Sequence, residues 1–75
     1  MKFDWKLCEE HPFPLGQYGP YVIKYMKGKK IKIEILNYVD SLVSNEEDLM
    51  FESFGTIEPT IINRKYILGY VYLKE

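Results

Sequence analysis

Cysteine, histidine and arginine are almost missing from this chain of 75 residues, which contains one of each. A lone cysteine, Cys8, excludes a disulfide within the chain, whereas small secreted domains usually depend on several. Charges at Lys2, Asp4 and Lys6 occupy positions where a signal peptide needs an apolar run. No stretch approaches the roughly 20 apolar residues of a membrane span. We therefore expect a cytoplasmic protein with no membrane partner.

Catalytic and metal-binding groups are equally scarce. Cys8 and His11 lie three residues apart and could form a nucleophile–base pair, but the sequence offers no third group to orient the base. Residues Cys8–His11 are contiguous, so they cannot converge on one zinc ion. The loop Gly16–Pro20 lacks the lysine of a phosphate-binding loop. We therefore predict a protein that is not an enzyme and that uses no metal and no cofactor.

Large side chains are what the sequence has in abundance: 47% of its residues are hydrophobic and 16% are aromatic. A chain of this length forms one domain, residues 1–75, and buries only about 60–65% of its unfolded surface. The seven tyrosines therefore serve first as bulky core filler. We expect Tyr21, Tyr25, Tyr66 and Tyr70 in the core. Tyr18, Tyr38 and Tyr72 are the tyrosines expected at a contact surface.

Alternation of apolar and polar residues predicts short β-strands along most of the chain. The strands are expected at residues 2–8, 21–26, 31–36, 60–62 and 66–73, with a proline-rich loop over 9–20 that packs across the body. Gly69 inside the last strand indicates a bulge or the close approach of another backbone. The predicted fold is therefore mostly β, a small antiparallel barrel or sandwich of five to seven short strands.

A hairpin is the strongest local prediction, because YVIKYM and IKIEIL flank a lysine-rich turn. If Ile31, Ile33 and Ile35 share the core face with Tyr21 and Ile23, the loop must contain an odd number of residues. A three-residue loop, residues 26–28, satisfies this condition and pairs Ile23 with Ile31. A two-residue turn, Gly28-Lys29, would instead place Ile23 opposite Glu34. We therefore favour the three-residue loop.

Residues 38–56 are compatible with two structures. Residues 44–47 have the spacing of a helix capping box, and Gly55 could end a short helix around residues 45–54, which would make the fold α+β. The same residues also read as two strands joined by a turn at residues 45–47. We favour the hairpin over the helix.

The net charge of −1 hides an uneven distribution. Residues 33–63 contain no positive side chain, and their acidic residues surround several apolar ones. Such a surface suits docking in a basic cleft of a protein partner, as in small phage-type inhibitors or immunity-type proteins. The predicted contact residues are Glu46, Glu47, Asp48, Met50, Phe51 and Glu52.

Two alternatives stay open. A nucleic acid could bind the lysines of the hairpin, although the chain as a whole is slightly acidic. These lysines are Lys27, Lys29, Lys30 and Lys32. A self-associating structural subunit, a homo-oligomer whose edge strands pair between copies, is the other alternative.

Overall fold

Six strands and one 3-10 turn make up the regular structure of the described residues, which in this computed structural model are 3–41, 47–53 and 58–73. The strands are β1 (Lys6–Leu7), β2 (Gly19–Lys27), β3 (Lys30–Ser41), β4 (Asp48–Ser53), β5 (Pro59–Asn63) and β6 (Ile67–Tyr72). The 3-10 turn occupies Arg64–Tyr66, and the side chain of Asn63 accepts a hydrogen bond from the amide of Lys65 at its start.

All six strands belong to one antiparallel sheet in the order β1-β6-β2-β3-β4-β5. Strands β2 to β5 follow one another as a meander, and β6 returns to pair with β2. The prediction of a mostly β fold is confirmed. The alternative of a helix around residues 45–54 is wrong over Asp48–Ser53, which forms strand β4. Residues 44–46, which belong to the proposed capping box and turn, lie outside the described residues.

The register of the β2–β3 hairpin differs from the prediction. Lys27 pairs with Lys30 and Ile23 pairs with Glu34, so the turn has two residues and not three. The reason lies further along β3, which continues well past the isoleucines to Ser41. Leu36 and Tyr38 are both fully buried. Because side chains alternate along a strand, burying these even-numbered residues turns the odd-numbered isoleucines outward.

Phe13 lies at the centre of the core, although it belongs to the loop before β2. It is 1% exposed, and its ring lies 4.8–5.8 Å from four aromatic rings of the sheet. These rings are those of Tyr21, Tyr38, Phe51 and Tyr70. Tilted and edge-on contacts of this kind add about 0.5–1.5 kcal/mol each to the energy of burial. The prediction that the loop packs across the body is confirmed.

Tyrosine hydroxyls hold the backbone of this loop on the sheet. Four of them donate to main-chain carbonyl groups of residues 12–18, over distances of 2.5–3.4 Å. The pairs are Tyr21 with Gln17, Tyr38 with Leu15, Tyr70 with Pro12 and Tyr72 with Tyr18. Arg64 adds a fifth bond, from its guanidinium to the carbonyl oxygen of Phe13 at 3.0 Å. We call residues 12–18 the strap.

Two of the tyrosine assignments are wrong. Tyr38, expected at a surface, is 1% exposed, and Tyr66, expected in the core, is about half exposed. Tyr66 is the last residue of the 3-10 turn and does not belong to a strand, so the alternation of side chains along a strand does not apply to it. The predicted first strand, residues 2–8, is also shorter than expected: within residues 3–8, only Lys6–Leu7 form a strand of the sheet.

The structure confirms both expectations for Gly69, a bulge in the last strand and the close approach of another backbone. The pairing of β2 with β6 shifts register between Lys24, opposite Gly69, and Tyr25, opposite Ile67, which is a bulge. A side chain at Gly69 would also place its Cβ 3.2 Å from the carbonyl oxygen of Lys6. The glycine therefore allows β1 to approach β6.

The position of Phe13 predicts a large loss of stability for Phe13→Ala. Removing a buried phenylalanine ring costs about 3–5 kcal/mol, which urea unfolding would measure. Phe13→Leu, which keeps more of the volume, should lose less. Ile61→Ala, at a side chain about half exposed, should change the free energy of unfolding by no more than about 0.5 kcal/mol. Equal losses for Phe13→Ala and Ile61→Ala would contradict the central role of Phe13.

The hairpin register makes a second prediction. Leu36→Ala should reduce the free energy of unfolding by about 2–5 kcal/mol, because Leu36 is fully buried. Ile33→Ala, at an outward-facing position of the same strand, should cost about 0.5 kcal/mol. The three-residue loop would reverse this order, so the same urea titrations distinguish the two registers.

Candidate functional site

A tight turn at Gly28 shapes the most distinctive surface of the molecule. Gly28 has a φ of +63°, in the left-handed region that favours glycine. With Lys29 it forms the two-residue connection between β2 and β3. This turn fixes which side chains of the hairpin face the core and which face outward.

Three isoleucines stand in a row on the outward side of β3. Ile31, Ile33 and Ile35 are 56%, 56% and 52% exposed, although isoleucine is among the residues most often found buried. Single exposed apolar residues are ordinary, but adjacent ones on one strand face form a continuous patch. We call these three side chains the isoleucine face.

Two residues of the strand beside it, Met26 and Lys24, add to this surface, whereas Val22 is buried. The residues of β2 opposite Ile31, Ile33 and Ile35 are Met26, Lys24 and Val22. Lys24 directs its ammonium group over the ring of Trp5, with Nζ 5.5 Å from the ring centroid. This cation–π contact lays the lysine stem along the sheet, so that Lys24 contributes apolar surface as well as charge.

Positive charge lies at the turn end of the isoleucine face and, through Lys24, beside it. Residues 22–35 contain five lysines and one carboxylate, Glu34. Lys27, Lys29 and Lys30 are exposed around the turn. The side chain of Lys32 is 43% exposed, and its Nζ lies 3.1 Å from Oε1 of Glu34. The surface is therefore apolar in its middle and basic at its end.

An open pocket of about 390 Å³ lies beside the tip of the hairpin. Its apolar walls include Met26, Ile61 and Tyr66, and its polar rim includes Lys27 and Asp48. Ile61 and Tyr66 are each about half exposed. A pocket of this size accepts one large side chain of a partner.

Glu34 connects the hairpin to the core. Its Oε1 accepts a hydrogen bond of 2.6 Å from the hydroxyl of Tyr25, and Lys32 lies on the same oxygen. The Tyr25 hydroxyl, with help from Lys32, lowers the pKa of Glu34 below its ordinary value. Burial, together with the same hydrogen bond, raises the pKa of Tyr25. Glu34 is thus a fixed negative charge at neutral pH.

Strand β4 places Asp48, Met50 and Glu52 of the predicted acidic contact site on one side and Phe51 on the other. Phe51 is fully buried and packs on Phe13 and Tyr38, so its assignment as a contact residue is wrong. Asp48 is half-buried, and its Oδ1 accepts a hydrogen bond of 2.9 Å from Asn63. Glu47 and Glu52 are exposed and Met50 is half-buried, while Glu46 lies outside the described residues.

The lysines of the nucleic-acid alternative do lie together. Lys27 pairs with Lys30 across the hairpin, Lys29 lies in the turn, and Lys32 follows on β3. Tyr21 and Tyr25 are buried as expected, so neither offers a ring on which a base could stack. Tyr66, about half exposed in the pocket beside Lys27, is an aromatic ring near these lysines.

Cys8 and His11 show no arrangement for nucleophilic catalysis. Cys8 is half-buried and burial raises the pKa of its thiol, an effect that Arg64 only partly offsets, whereas a reactive cysteine needs a lowered pKa. The thiol lines an open pocket of about 500 Å³ with Arg64 and Ile67. His11 is exposed. Within residues 3–41, 47–53 and 58–73, no three His, Cys, Asp or Glu side chains cluster closely enough to hold a metal ion.

Comparison with known proteins adds no relative: no family model, no curated protein and no solved structure matches this chain. Among the residues that the structure describes, no helix is long and apolar enough to cross a membrane. Any assignment of function therefore depends on the surfaces of the molecule itself.

Glu34 makes a prediction about pH. A lowered folded-state pKa stabilises the fold above the unfolded pKa, and this contribution is lost as the pH falls through the folded value. Tyr25→Phe should therefore raise the pKa of Glu34 and reduce the difference in stability between neutral and acidic solution. Carboxyl-carbon NMR titration and urea unfolding measure the two effects. Tyr70→Phe removes a hydroxyl bound to Pro12 and should leave Glu34 unchanged; an equal pKa in wild type and Tyr25→Phe would contradict the assignment.

Proposed function

We propose that this chain is a non-catalytic binding protein that docks on another protein through the isoleucine face. The observation that carries the proposal is the exposure of Ile31, Ile33 and Ile35, each more than half exposed on one side of one strand. The core is complete without them, since Phe13 and the inward residues of the sheet fill it. Apolar surface of this kind lowers solubility in a monomer, so a partner that covers it supplies a physical reason for its presence.

Charge indicates the kind of partner. Lys24 lies on the isoleucine side of the hairpin, and three exposed lysines lie around its turn, so a complementary surface carries carboxylates beside an apolar centre. The complementary charges would accelerate association, and the isoleucines would supply most of the affinity once water is excluded. The partner is therefore an acidic protein with an exposed apolar ridge.

The pocket at the hairpin tip gives such a partner an anchor point. Binding energy at interfaces concentrates in a few side chains that fill pockets near the centre of the contact. Met26, Ile61 and Tyr66 line this pocket with apolar surface next to Lys27. An aromatic or long aliphatic side chain fits this apolar lining.

The biological setting is part of the proposal. A lone cysteine favours a cytoplasmic location. A 75-residue domain that occupies a partner's surface can act by occlusion, as small inhibitors and immunity-type proteins of phage or bacterial origin do. Inhibition is then the expected consequence of docking.

The proposal predicts that docking depends on the isoleucine face. We expect the partner recovered from host lysate by the tagged wild type to be lost, by at least tenfold, when Ile31, Ile33 and Ile35 are all changed to serine. These side chains lie outside the core, so the variant should stay folded by circular dichroism. Charge reversal at Lys27, Lys29 and Lys30 should weaken recovery and flatten its dependence on salt.

A matched control tests the acidic segment instead. Glu47→Lys with Glu52→Lys reverses two exposed charges away from the hairpin and should leave recovery unchanged. Loss of recovery in this control but not in the isoleucine variant would move the contact to the acidic segment. Material that disappears after nuclease treatment, with the serine variant still active, would replace protein docking by nucleic-acid binding through the lysines.

A further inference from the structure

The 3-10 turn separates the pocket at the hairpin tip from another pocket. Side chains three residues apart share one side of a 3-10 turn. Asn63 and Tyr66 accordingly line the pocket at the hairpin tip, whereas Arg64 and Lys65 line the other one. Its volume of about 500 Å³ falls in the range of roughly 300–1,000 Å³ that is typical of small-molecule sites. We call it the Arg64 pocket.

The walls of the Arg64 pocket are mainly apolar. Leu7 comes from β1, Pro12 from the strap, and Ile67 and Leu68 from the start of β6. The Cys8 thiol between them is a neutral group at neutral pH, because burial raises its pKa. Apolar walls with a few placed polar groups are the usual form of a small-molecule site. A ligand of this pocket therefore has an apolar body.

The guanidinium of Arg64 is held in a defined position beside these walls. Its Nη2 donates a hydrogen bond of 3.0 Å to the carbonyl oxygen of Phe13, and its backbone amide donates to the carbonyl oxygen of Glu47. A guanidinium carries five N–H donors, so the bond to Phe13 uses only one of them. Because Arg64 is already ordered, a ligand that binds it loses less side-chain entropy.

Charge favours a ligand with a single negative charge. The charged residues of the lining are Arg64, Lys65 and Glu9, which together carry one net positive charge. Nζ of Lys65 lies 5.2 Å from the centroid of the Tyr66 ring, so Arg64 is the cation with the more direct access to the pocket. The planar fork of a guanidinium matches the two oxygens of a carboxylate. Glu9 would repel a doubly charged phosphate group.

We propose that the Arg64 pocket binds a small apolar monocarboxylic acid. Its carboxylate lies on the guanidinium of Arg64, and its apolar body packs against Leu7, Ile67 and Leu68. The carboxyl terminus of a peptide has the same charge, but its amide groups would need hydrogen-bond partners that apolar walls do not supply. The proposal does not rest on docking through the isoleucine face.

Octanoate is the probe that combines a carboxylate with an apolar body. Titration followed by amide chemical shifts should show saturable changes at Leu7, Cys8, Arg64, Ile67 and Leu68. We expect a dissociation constant on the order of 0.1–1 mM for a ligand of this size. Octylammonium, which reverses the charge, and acetate, which lacks the apolar body, should each bind at least about tenfold more weakly.

Two variants remove different parts of the site. Arg64→Met deletes the guanidinium, and Leu7→Glu places a carboxylate in the wall at a side chain about half exposed. Each should weaken octanoate binding at least about tenfold. Leu73→Glu makes the same substitution at another exposed position and should bind like wild type. Arg64 also holds the strap, so Leu7→Glu gives the test should circular dichroism show Arg64→Met to be unfolded.

Cys8 reports occupancy of the pocket by a second measurement. Its thiol lies in the lining, so saturating octanoate should slow its alkylation by iodoacetamide, a neutral reagent, by about threefold or more. Octylammonium at the same concentration should leave the rate unchanged. An alkylation rate that octanoate does not change would contradict binding beside Cys8.

The outcomes separate the possible explanations. No saturation by about 10 mM octanoate, equal affinity for octylammonium, wild-type affinity in Leu7→Glu, or shifts centred on residues 31–35 would each overturn the proposal. A short peptide with a free carboxyl-terminal leucine that binds at least tenfold tighter than octanoate would replace the small acid by a chain terminus. Docking is measured with the isoleucine variant, and its failure would not alter the octanoate titration.

Discussion

The packing of Phe13 against the sheet is the interaction on which the rest of the structure depends. A sheet needs a second layer to bury its apolar face, and this chain supplies that layer with a loop. Phe13 fills the space between the rings of Tyr21, Tyr38, Phe51 and Tyr70. Prolines interrupt the strap that carries Phe13, so the strap cannot pair all of its carbonyl groups with its own amides. The tyrosines meet both needs. Their rings fill the core, and their hydroxyls donate hydrogen bonds to carbonyl groups of the strap.

A strap can cover only one face of a sheet. In a chain of 75 residues, the buried fraction of the surface is small compared with that of larger domains. Trp5 and Leu7 cover the outer face near Gly69, but the isoleucine face lies beyond them. The apolar surface left exposed follows from how little chain is available to cover it, and it is the surface that we propose as a docking contact.

Much of this fold could be predicted from alternation, glycine and proline. The strands, the bulge at Gly69 and the packed loop followed from local patterns. The hairpin register did not follow from local patterns. Within the hairpin alone, Tyr21 and Ile23 can lie on the same side as the three isoleucines of residues 31–35 or on the opposite side. The deciding residues, Leu36 and Tyr38, lie further along the strand, and their burial depends on β4 and the strap. The candidate site was missed for the same reason, since an isoleucine assigned to the core cannot be a contact residue.

The turn at Gly28 then links the core, the isoleucine face and the edge of β3 that faces away from β2. With two residues in the turn, the inward side chains of β3 are the even-numbered ones, and the odd-numbered isoleucines face outward. The same geometry directs the amides of those isoleucines toward the edge. Exposed edges are commonly protected by lysine, whose charge repels an identical strand. Lys30 and Lys32 place two such charges on β3 before its pairing with β4 begins at Leu36.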